Sequence, residues 1–169
     1  KAILAIESEN SLWVAKQMPN YNDELRSMAR MAGKLGLPKN AIIPNVIIKD
    51  EDFPRLLKWQ TKNKKLIHVW HNFYDLSFGI SLNKARKLIK DGLISPSVQK
   101  FAEANGSVTE KTVFKIYAHY AYPVGDTIRK PELTAATTTS PKGHIFPYVK
   151  FSGGSMKIAV EALNVLKRL

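Results

Sequence analysis

The stretch Lys49–Asp75 reads KDEDFPRLLKWQTKNKKLIHVWHNFYD, and its interpretation decides the fold that we predict for the chain. Acidic residues stand at its start: Asp50, Glu51 and Asp52. We interpret the following segment, Arg55–Lys62, as a strand that pairs with Leu66–Trp70 through a turn. Successive side chains on a strand point to opposite faces. The residues that would share the exposed face are Lys58, Gln60 and Lys62. Leu57 and Trp59 would then share the buried face.

This arrangement indicates a metal site beside a phosphodiester. Hard divalent ions such as Mg²⁺ take oxygen ligands, which carboxylates and an amide carbonyl supply. Such an ion polarises a phosphate and lowers the pKa of an attacking water, and a nearby lysine stabilises the developing charge. We therefore predict that Mg²⁺ is bound by Asp50, Asp52 and Gln60. The predicted catalytic residues are Asp50, Gln60 and Lys62.

The same residues resemble the core motif of the PD-(D/E)xK nuclease superfamily, specifically that of type II restriction endonucleases. The motif is an acidic residue at a strand end, followed by a short strand with Glu-x-Lys. Asp50 and Gln60-Thr61-Lys62 stand in the matching places, with glutamine in place of the usual acidic residue. The resemblance covers Lys49–Asp75 and implies a metal-dependent DNA endonuclease of restriction type that hydrolyses phosphodiester bonds.

Charge is the second indication of function. The chain has 26 Lys and Arg residues against 14 Asp and Glu residues, which gives a formal net charge of +12. Such a basic domain is typical of nucleic-acid binding, because neutralising phosphates releases condensed counterions. We predict DNA as the partner, with RNA left open. The predicted contact residues are Lys84, Arg86, Lys87, Lys90, Lys142, His144 and Lys150.

Cysteine is absent, which excludes disulfides, thiolate metal sites and a cysteine nucleophile. Apolar runs are far shorter than the roughly 20 residues that a bilayer requires. The first of them, Ala2–Ile6, is followed by Glu7 and Glu9 and does not resemble a signal peptide. We predict a cytoplasmic protein without membrane contact. The chain does not begin with Met, so an upstream domain stays open, as does a homodimer.

The local patterns predict an α/β fold, with a central mixed β-sheet flanked by helices, in one nuclease-like nucleic-acid-binding domain over residues 1–169. The predicted helices are Asn22–Gly33, Asn83–Asp91, Ser97–Ala104 and Met156–Leu169. The predicted strands lie in Ala41–Ile48, Arg55–Lys62, Leu66–Trp70 and His144–Phe151. Val113–Tyr122 fits either a strand or a helix, and Arg129–Gly143 is predicted to be a surface loop.

Two other functions stay open at this level. His68 and His71, in the sequence HVWHN, could serve as base and acid in a metal-independent, histidine-dependent nuclease toxin. A non-catalytic basic protein that binds nucleic acid, or a structural phage or ribonucleoprotein component, is the other alternative. For that class the chain offers a weak helix-turn-helix pattern, with Gly106 in the turn and Thr109–Tyr117 as the recognition helix.

Overall fold

The structure is a computed structural model that describes residues 4–21, 42–102, 108–140 and 143–168. Its α-helices are α1 (Asp52–Asn63), α2 (Leu82–Lys90) and α3 (Val160–Lys167). Its strands are β1 (Leu4–Asn10), β2 (Asn45–Lys49), β3 (Leu66–Asn72), β4 (Leu76–Ser81), β5 (Pro96–Ala102), β6 (Val108–Tyr117), β7 (Tyr122–Arg129), β8 (Glu132–Thr139), β9 (Ile145–Ser152) and β10 (Ser155–Ile158). Short 3-10 helices occur at Ala15–Gln17 and Ala118–Tyr120.

The central sheet has five strands in the order β1-β3-β4-β7-β10. β1 and β3 are parallel, whereas the other neighbouring pairs are antiparallel, so the sheet is mixed. A second sheet has the order β2-β6-β5, and β8 pairs with β9 in a separate hairpin. The predicted α/β fold with a central mixed β-sheet flanked by helices is confirmed.

The main core lies where α1, α2 and β2 pack against β3 and β4. Its most buried members include Val46, Val69, Ile80, Leu82 and Ile116. Fully burying a side chain of this size contributes roughly 1.5–3 kcal/mol. This packing holds α1 against the face of the central sheet on which the candidate site lies.

The prediction that Arg55–Lys62 is a strand is wrong, because these residues lie within α1. Phe53 and Leu56 are buried at helical spacing, whereas Trp59 is 42% exposed. Pro54 is compatible with the first turn of a helix, where its missing N–H costs little. Lys64 ends α1 in the left-handed conformation, with a φ of 50°. The shared strand face proposed for Lys58, Gln60 and Lys62 therefore does not exist.

Two predicted elements around α1 and α2 are confirmed with small changes in their bounds. The predicted helix Asn83–Asp91 is α2, which begins one residue earlier. The hydroxyl of Ser81 caps this helix by accepting a hydrogen bond from the backbone N–H of Lys84 at 3.2 Å. The predicted strand Leu66–Trp70 is β3, but its partners are β1 and β4. The proposed hairpin with Arg55–Lys62 is wrong.

Further along the chain, the helix predicted for Ser97–Ala104 is wrong over its described residues, because Ser97–Ala102 belongs to β5, which pairs with β6. The recognition helix predicted for Thr109–Tyr117 is wrong, because these residues lie in β6. Of the segment Val113–Tyr122, the first half, Val113–Tyr117, is strand β6, and Ala118–Tyr120 is a 3-10 helix. The surface loop predicted for Arg129–Gly143 is wrong, since it contains β8. The predicted strand His144–Phe151 is confirmed as β9.

The remaining predicted helices and strands have different outcomes. The helix predicted for Met156–Leu169 begins later, at Val160, after the short strand β10. The strand predicted within Ala41–Ile48 is confirmed as β2. The helix predicted for Asn22–Gly33 lies outside the described residues. Among the helices that the structure describes, none has the length and apolar character needed to cross a bilayer.

Candidate active site

The structure does not assemble the metal site predicted around Asp50, Asp52 and Gln60. Asp50 is exposed in the turn before α1, where its backbone N–H donates to Thr112 O at 2.9 Å. Gln60 follows Asp52 by eight residues of helix, a rise of about 12 Å. Lys62 is exposed near the end of α1.

The Gln60 amide is instead committed to structure. Its side-chain oxygen accepts a hydrogen bond from the backbone N–H of Ile67 at 2.9 Å, and its nitrogen donates to Asn83 Oδ1 at 3.0 Å. These bonds tie α1 to the start of β3 and to α2. The catalytic roles of Asp50, Gln60 and Lys62 stay predictions, without the geometry that motivated them.

A different group of carboxylates converges between β1 and the start of α1. Glu7 and Glu9 lie two residues apart on β1 and therefore share one face. Nη2 of Arg55 lies 3.1 Å from Oε1 of Glu7 and also 3.1 Å from Oδ1 of Asp52. Nζ of Lys49 lies 3.8 Å from Oε1 of Glu9. Three carboxylates and two cations thus meet at one edge of the central sheet.

Burial and charge perturb Glu9 in this cluster. Burial is the largest cause that raises the pKa of its carboxyl group, and the charges of Asp52 and Glu7 raise it further, while Lys49 and Arg55 oppose the rise. The side chains stay within reach of a ligand, since Glu7 is 32% and Glu9 31% exposed. A carboxylate of raised pKa beside others is a usual feature of a site that takes a cation or a proton.

Glu7 and Asp52 fit the role of Mg²⁺ ligands. They supply the oxygen ligands that this ion prefers, and a single guanidinium nitrogen already contacts both carboxylates. Among the residues that the structure describes, no group of three or more His, Asp or Glu side chains is arranged closely enough to hold a metal ion. The two carboxylates therefore provide part of a metal site, with Arg55 in the cationic position between them.

Two clefts lie at the Glu9 end of this cluster, one lined by Glu9 itself and the other by the adjacent Asn10. The larger, about 400 Å³, is lined by Glu9, Lys49, His71 and Lys115 among others. A second, about 280 Å³, lies at the ends of β1 and β3, and Asn10 borders both. The carboxyl ends of parallel strands are a common place for ligand binding in α/β proteins. A substrate lying across this end of the sheet would thus reach Glu9.

The two histidines of HVWHN are buried on opposite faces of β3, with exposed fractions of 3% for His68 and 5% for His71. His68 Nδ1 lies 2.8 Å from the hydroxyl of Tyr122, which also accepts a hydrogen bond from Trp70 Nε1 at 3.0 Å. Burial lowers the pKa of His71 to about 4. This arrangement does not present the pair to one phosphate as base and acid.

The basic residues predicted to contact nucleic acid fall in two places. Lys84, Arg86, Lys87 and Lys90 are exposed on α2, where Lys87 Nζ also lies 2.7 Å from Asp91 Oδ2. His144 and Lys150 are exposed on the β8–β9 hairpin. Lys142 lies outside the described residues. Their role in binding stays a prediction.

Glu7 and Glu9 are not among the site residues predicted from the sequence. A usable signal was present, because a short apolar run, Leu4–Ile6, leads directly into Glu-Ser-Glu. On a strand this places both carboxylates on one face. Their approach to Asp52 and Arg55 is a long-range contact that the local pattern does not contain.

Comparison with known proteins defines the class. A family model described as AccI restriction endonuclease matches residues 39–169. The chain belongs to this family, which makes a restriction-type DNA endonuclease the class and implies DNA as the partner. The matched residues include Asp52 and Arg55, whereas β1 precedes them. No curated protein matches the chain, and no solved structure does.

Proposed function

We propose that the protein is a metal-dependent DNA endonuclease that hydrolyses phosphodiester bonds at a site formed by Glu7, Glu9 and Asp52. The observation that carries the proposal is the convergence of Glu7 and Asp52 on one nitrogen of Arg55, at 3.1 Å from each. Glu9 lies on the same face of β1, beside Lys49. Membership in the AccI restriction endonuclease family supports the class of substrate.

The proposal also revises the assignment to the PD-(D/E)xK superfamily. The motif requires an acidic residue, one intervening residue and a lysine on a short strand. Gln60-Thr61-Lys62 has the spacing but is helical. Glu7-Ser8-Glu9 has the spacing on a strand, β1, with Glu9 where lysine is usual. Lys49, which lies beside Glu9, supplies a cation at that position from β2.

The residues of the cluster would have different roles in the reaction. Glu7 and Asp52 would hold Mg²⁺, which supplies polarisation of the phosphate and a lowered pKa of bound water. Glu9 would accept a proton as the general base, and burial raises the pKa of its carboxyl group. Lys49 and Arg55 would hold a phosphate oxygen through charge-assisted hydrogen bonds.

DNA would be held by the basic face of α2 and by the cations near the two clefts. The exposed members on α2 are Lys84, Arg86, Lys87 and Lys90. A chain with a net charge of +12 should bind phosphates through several such contacts. The electrostatic contribution of these contacts to DNA affinity is independent of base sequence. It therefore provides affinity and leaves specificity to other residues.

The test is cleavage of supercoiled plasmid DNA with Mg²⁺ and with a chelator. We expect nicked and linear products only when Mg²⁺ is present. Binding without cleavage under both conditions would instead favour the non-catalytic DNA-binding alternative. Equal cleavage in the chelator would contradict the metal dependence and leave the restriction-type class intact.

A further inference from the structure

The β8–β9 hairpin has no partner in either of the other sheets. β8 pairs with β9 from Glu132 opposite Ser152 to Thr139 opposite Ile145, and within the described ranges neither strand joins another. Eight residues of antiparallel strand extend about 27 Å. A lone two-stranded hairpin is at best marginally stable in water. A long exposed ribbon without a partner strand is thus available to bind a further molecule.

The base of the hairpin is fixed to the body of the protein. Within this base, Gly154, with a φ of +81°, packs against the segment that enters β8, since a Cβ there would be 3.1 Å from the nitrogen of Pro131. Nζ of Lys130 lies 5.2 Å from the ring centre of Tyr74, within range of a cation–π contact. The base also borders the cleft that contains Asn10. The hairpin is thus rooted at the end of the sheet where Glu9 lies.

The two faces of the hairpin differ in chemistry. The pairing places on one face, which we call the polar face, Glu132, Thr134, Ala136, Thr138, Phe146, Tyr148, Lys150 and Ser152. The opposite face carries Leu133, Ala135, Thr137, Thr139, Ile145, Pro147, Val149 and Phe151. Only the polar face has charged side chains, and Tyr148 on it is 48% exposed.

We propose that the polar face of the hairpin enters the major groove of DNA and contacts base edges. The major groove of B-DNA admits a two-stranded ribbon, and threonine, tyrosine and lysine supply hydrogen-bond donors for bases. Charge also favours DNA, because residues 129–152 contain four Lys and Arg residues and one acidic residue. The inference rests on the proposed function and adds the element that determines base specificity.

The side chains suggest distinct contacts. Lys150 lies directly opposite Thr134 in the pairing, so a cation and a hydroxyl group occur side by side at mid-ribbon. Lysine commonly contacts the acceptors of guanine, whereas threonine offers a hydroxyl group and a methyl group. At the tip, Ser140 Oγ accepts a hydrogen bond from the backbone N–H of His144 at 3.1 Å, which fixes the end of the ribbon.

The test is a binding selection from a library of random DNA duplexes, using the full chain with Glu7→Gln so that bound DNA is not cut. Thr134→Val removes a hydroxyl group from the polar face and keeps the shape of the side chain. Thr137→Val is the matched control on the opposite face. We expect Thr134→Val to reduce a base preference at one or two positions by roughly 5- to 100-fold. Thr134→Ser should retain it, and Thr137→Val should leave all preferences unchanged.

Several results would overturn the inference. Unchanged preferences in both Thr134→Val and Lys150→Gln would exclude base contact by the polar face. An equal effect of Thr137→Val would remove the distinction between the faces. Unchanged preferences together with loss of a dimer in Leu133→Lys, seen by sedimentation, would assign the hairpin to contact between copies of the chain. Because selection reports binding alone, absence of cleavage in the wild type would contradict the proposed function without affecting this test.

Discussion

Glu7 and Asp52 are held at a single cationic nitrogen, since Oε1 of Glu7 and Oδ1 of Asp52 each lie 3.1 Å from Nη2 of Arg55. One carboxylate is on β1, and the other is in the first turn of α1. Arg55 is 66% exposed, so these ion pairs contribute little to stability. Their significance lies in the position that they define, where two carboxylates meet around a point that suits a cation.

Arg55→Gln should increase the affinity of the protein for Mg²⁺. The substitution removes the cation that competes for Glu7 and Asp52, and it leaves the cluster more negative. Titration calorimetry with MgCl₂ would measure the change, which we expect to be several-fold. Arg86→Gln, an exposed change on α2, is the matched control and should have no effect. Unchanged Mg²⁺ affinity in Arg55→Gln would show that Arg55 does not compete with Mg²⁺ for Glu7 and Asp52.

Lys49→Met should move the acid limb of the pH–rate profile to higher pH. Burial already raises the pKa of Glu9, and the charge of Lys49 opposes that rise. Without Lys49 the pKa should rise further, and because a general base acts in its ionised form, cleavage should fall off at a higher pH. The pH dependence of kcat/KM measures this. Lys62→Met should keep the wild-type profile, and an unmoved acid limb in Lys49→Met would exclude Glu9 as the base.

His71 should make stability depend on pH below neutrality. Burial lowers its pKa to about 4 from an ordinary value of 6.5, so the unfolded chain takes up the proton first as the pH falls. The contribution of His71 to the free energy of unfolding is fully present above pH 6.5. It falls by up to about 3 kcal/mol as the pH decreases to about 4. Below that pH both states are protonated and the slope from this residue ends.

His71→Phe should reduce this slope in urea unfolding between pH 6.5 and 4. Phenylalanine is a suitable replacement, because Nδ1 of His71 is buried without a hydrogen-bond partner in the described part of the chain, and the ring packs 4.6 Å from that of Phe73. Burial lowers the pKa of His68 and of His119 too, so a smaller slope should remain. His144→Gln, at an exposed position, is the control. The same slope in His71→Phe and the wild type would contradict the assignment.

The basic face of α2 should contribute to affinity for duplex DNA in a salt-dependent manner. Each phosphate contact contributes close to one unit to the slope of log K against log salt concentration. Replacing Lys84, Lys87 and Lys90 together by Gln should therefore make that slope shallower by about two to three units. Fluorescence anisotropy at several salt concentrations measures it, with Lys58→Gln and Lys62→Gln as controls on α1. An unchanged slope would place the DNA elsewhere.

The parts of the fold that could be predicted are those in which local pattern and burial agree. In α2, Leu82, Ala85 and Leu88 are buried at helical spacing behind a serine cap, and in β9 a short β-prone run ends at Gly153. α1 was misassigned because its residues also alternate over a few positions. The segment is helical because a helix buries Phe53 and Leu56 against the sheet, and this tertiary contact outweighs the local preference.

The missed elements depend on partners distant in sequence. The threonine-rich segment of β8 has no apolar alternation of its own and is a strand because β9 pairs with it. The candidate site likewise depends on contacts between residues that are distant in sequence. Glu-x-Glu on a strand was visible in the sequence, but the contact of Glu7 with Arg55 joins residues that only the packing of α1 on the sheet brings together.

The most direct test of the central claim compares Glu7→Gln with Lys62→Ala in Mg²⁺-dependent cleavage of plasmid DNA, with DNA affinity measured in parallel. Loss of a charged ligand should reduce the cleavage rate of Glu7→Gln by at least about 100-fold with little change in affinity. Lys62→Ala should cleave at nearly the wild-type rate, because Lys62 is exposed near the end of α1, away from the carboxylates. Full activity in Glu7→Gln, with activity lost in Lys62→Ala, would contradict the account and return the site to α1.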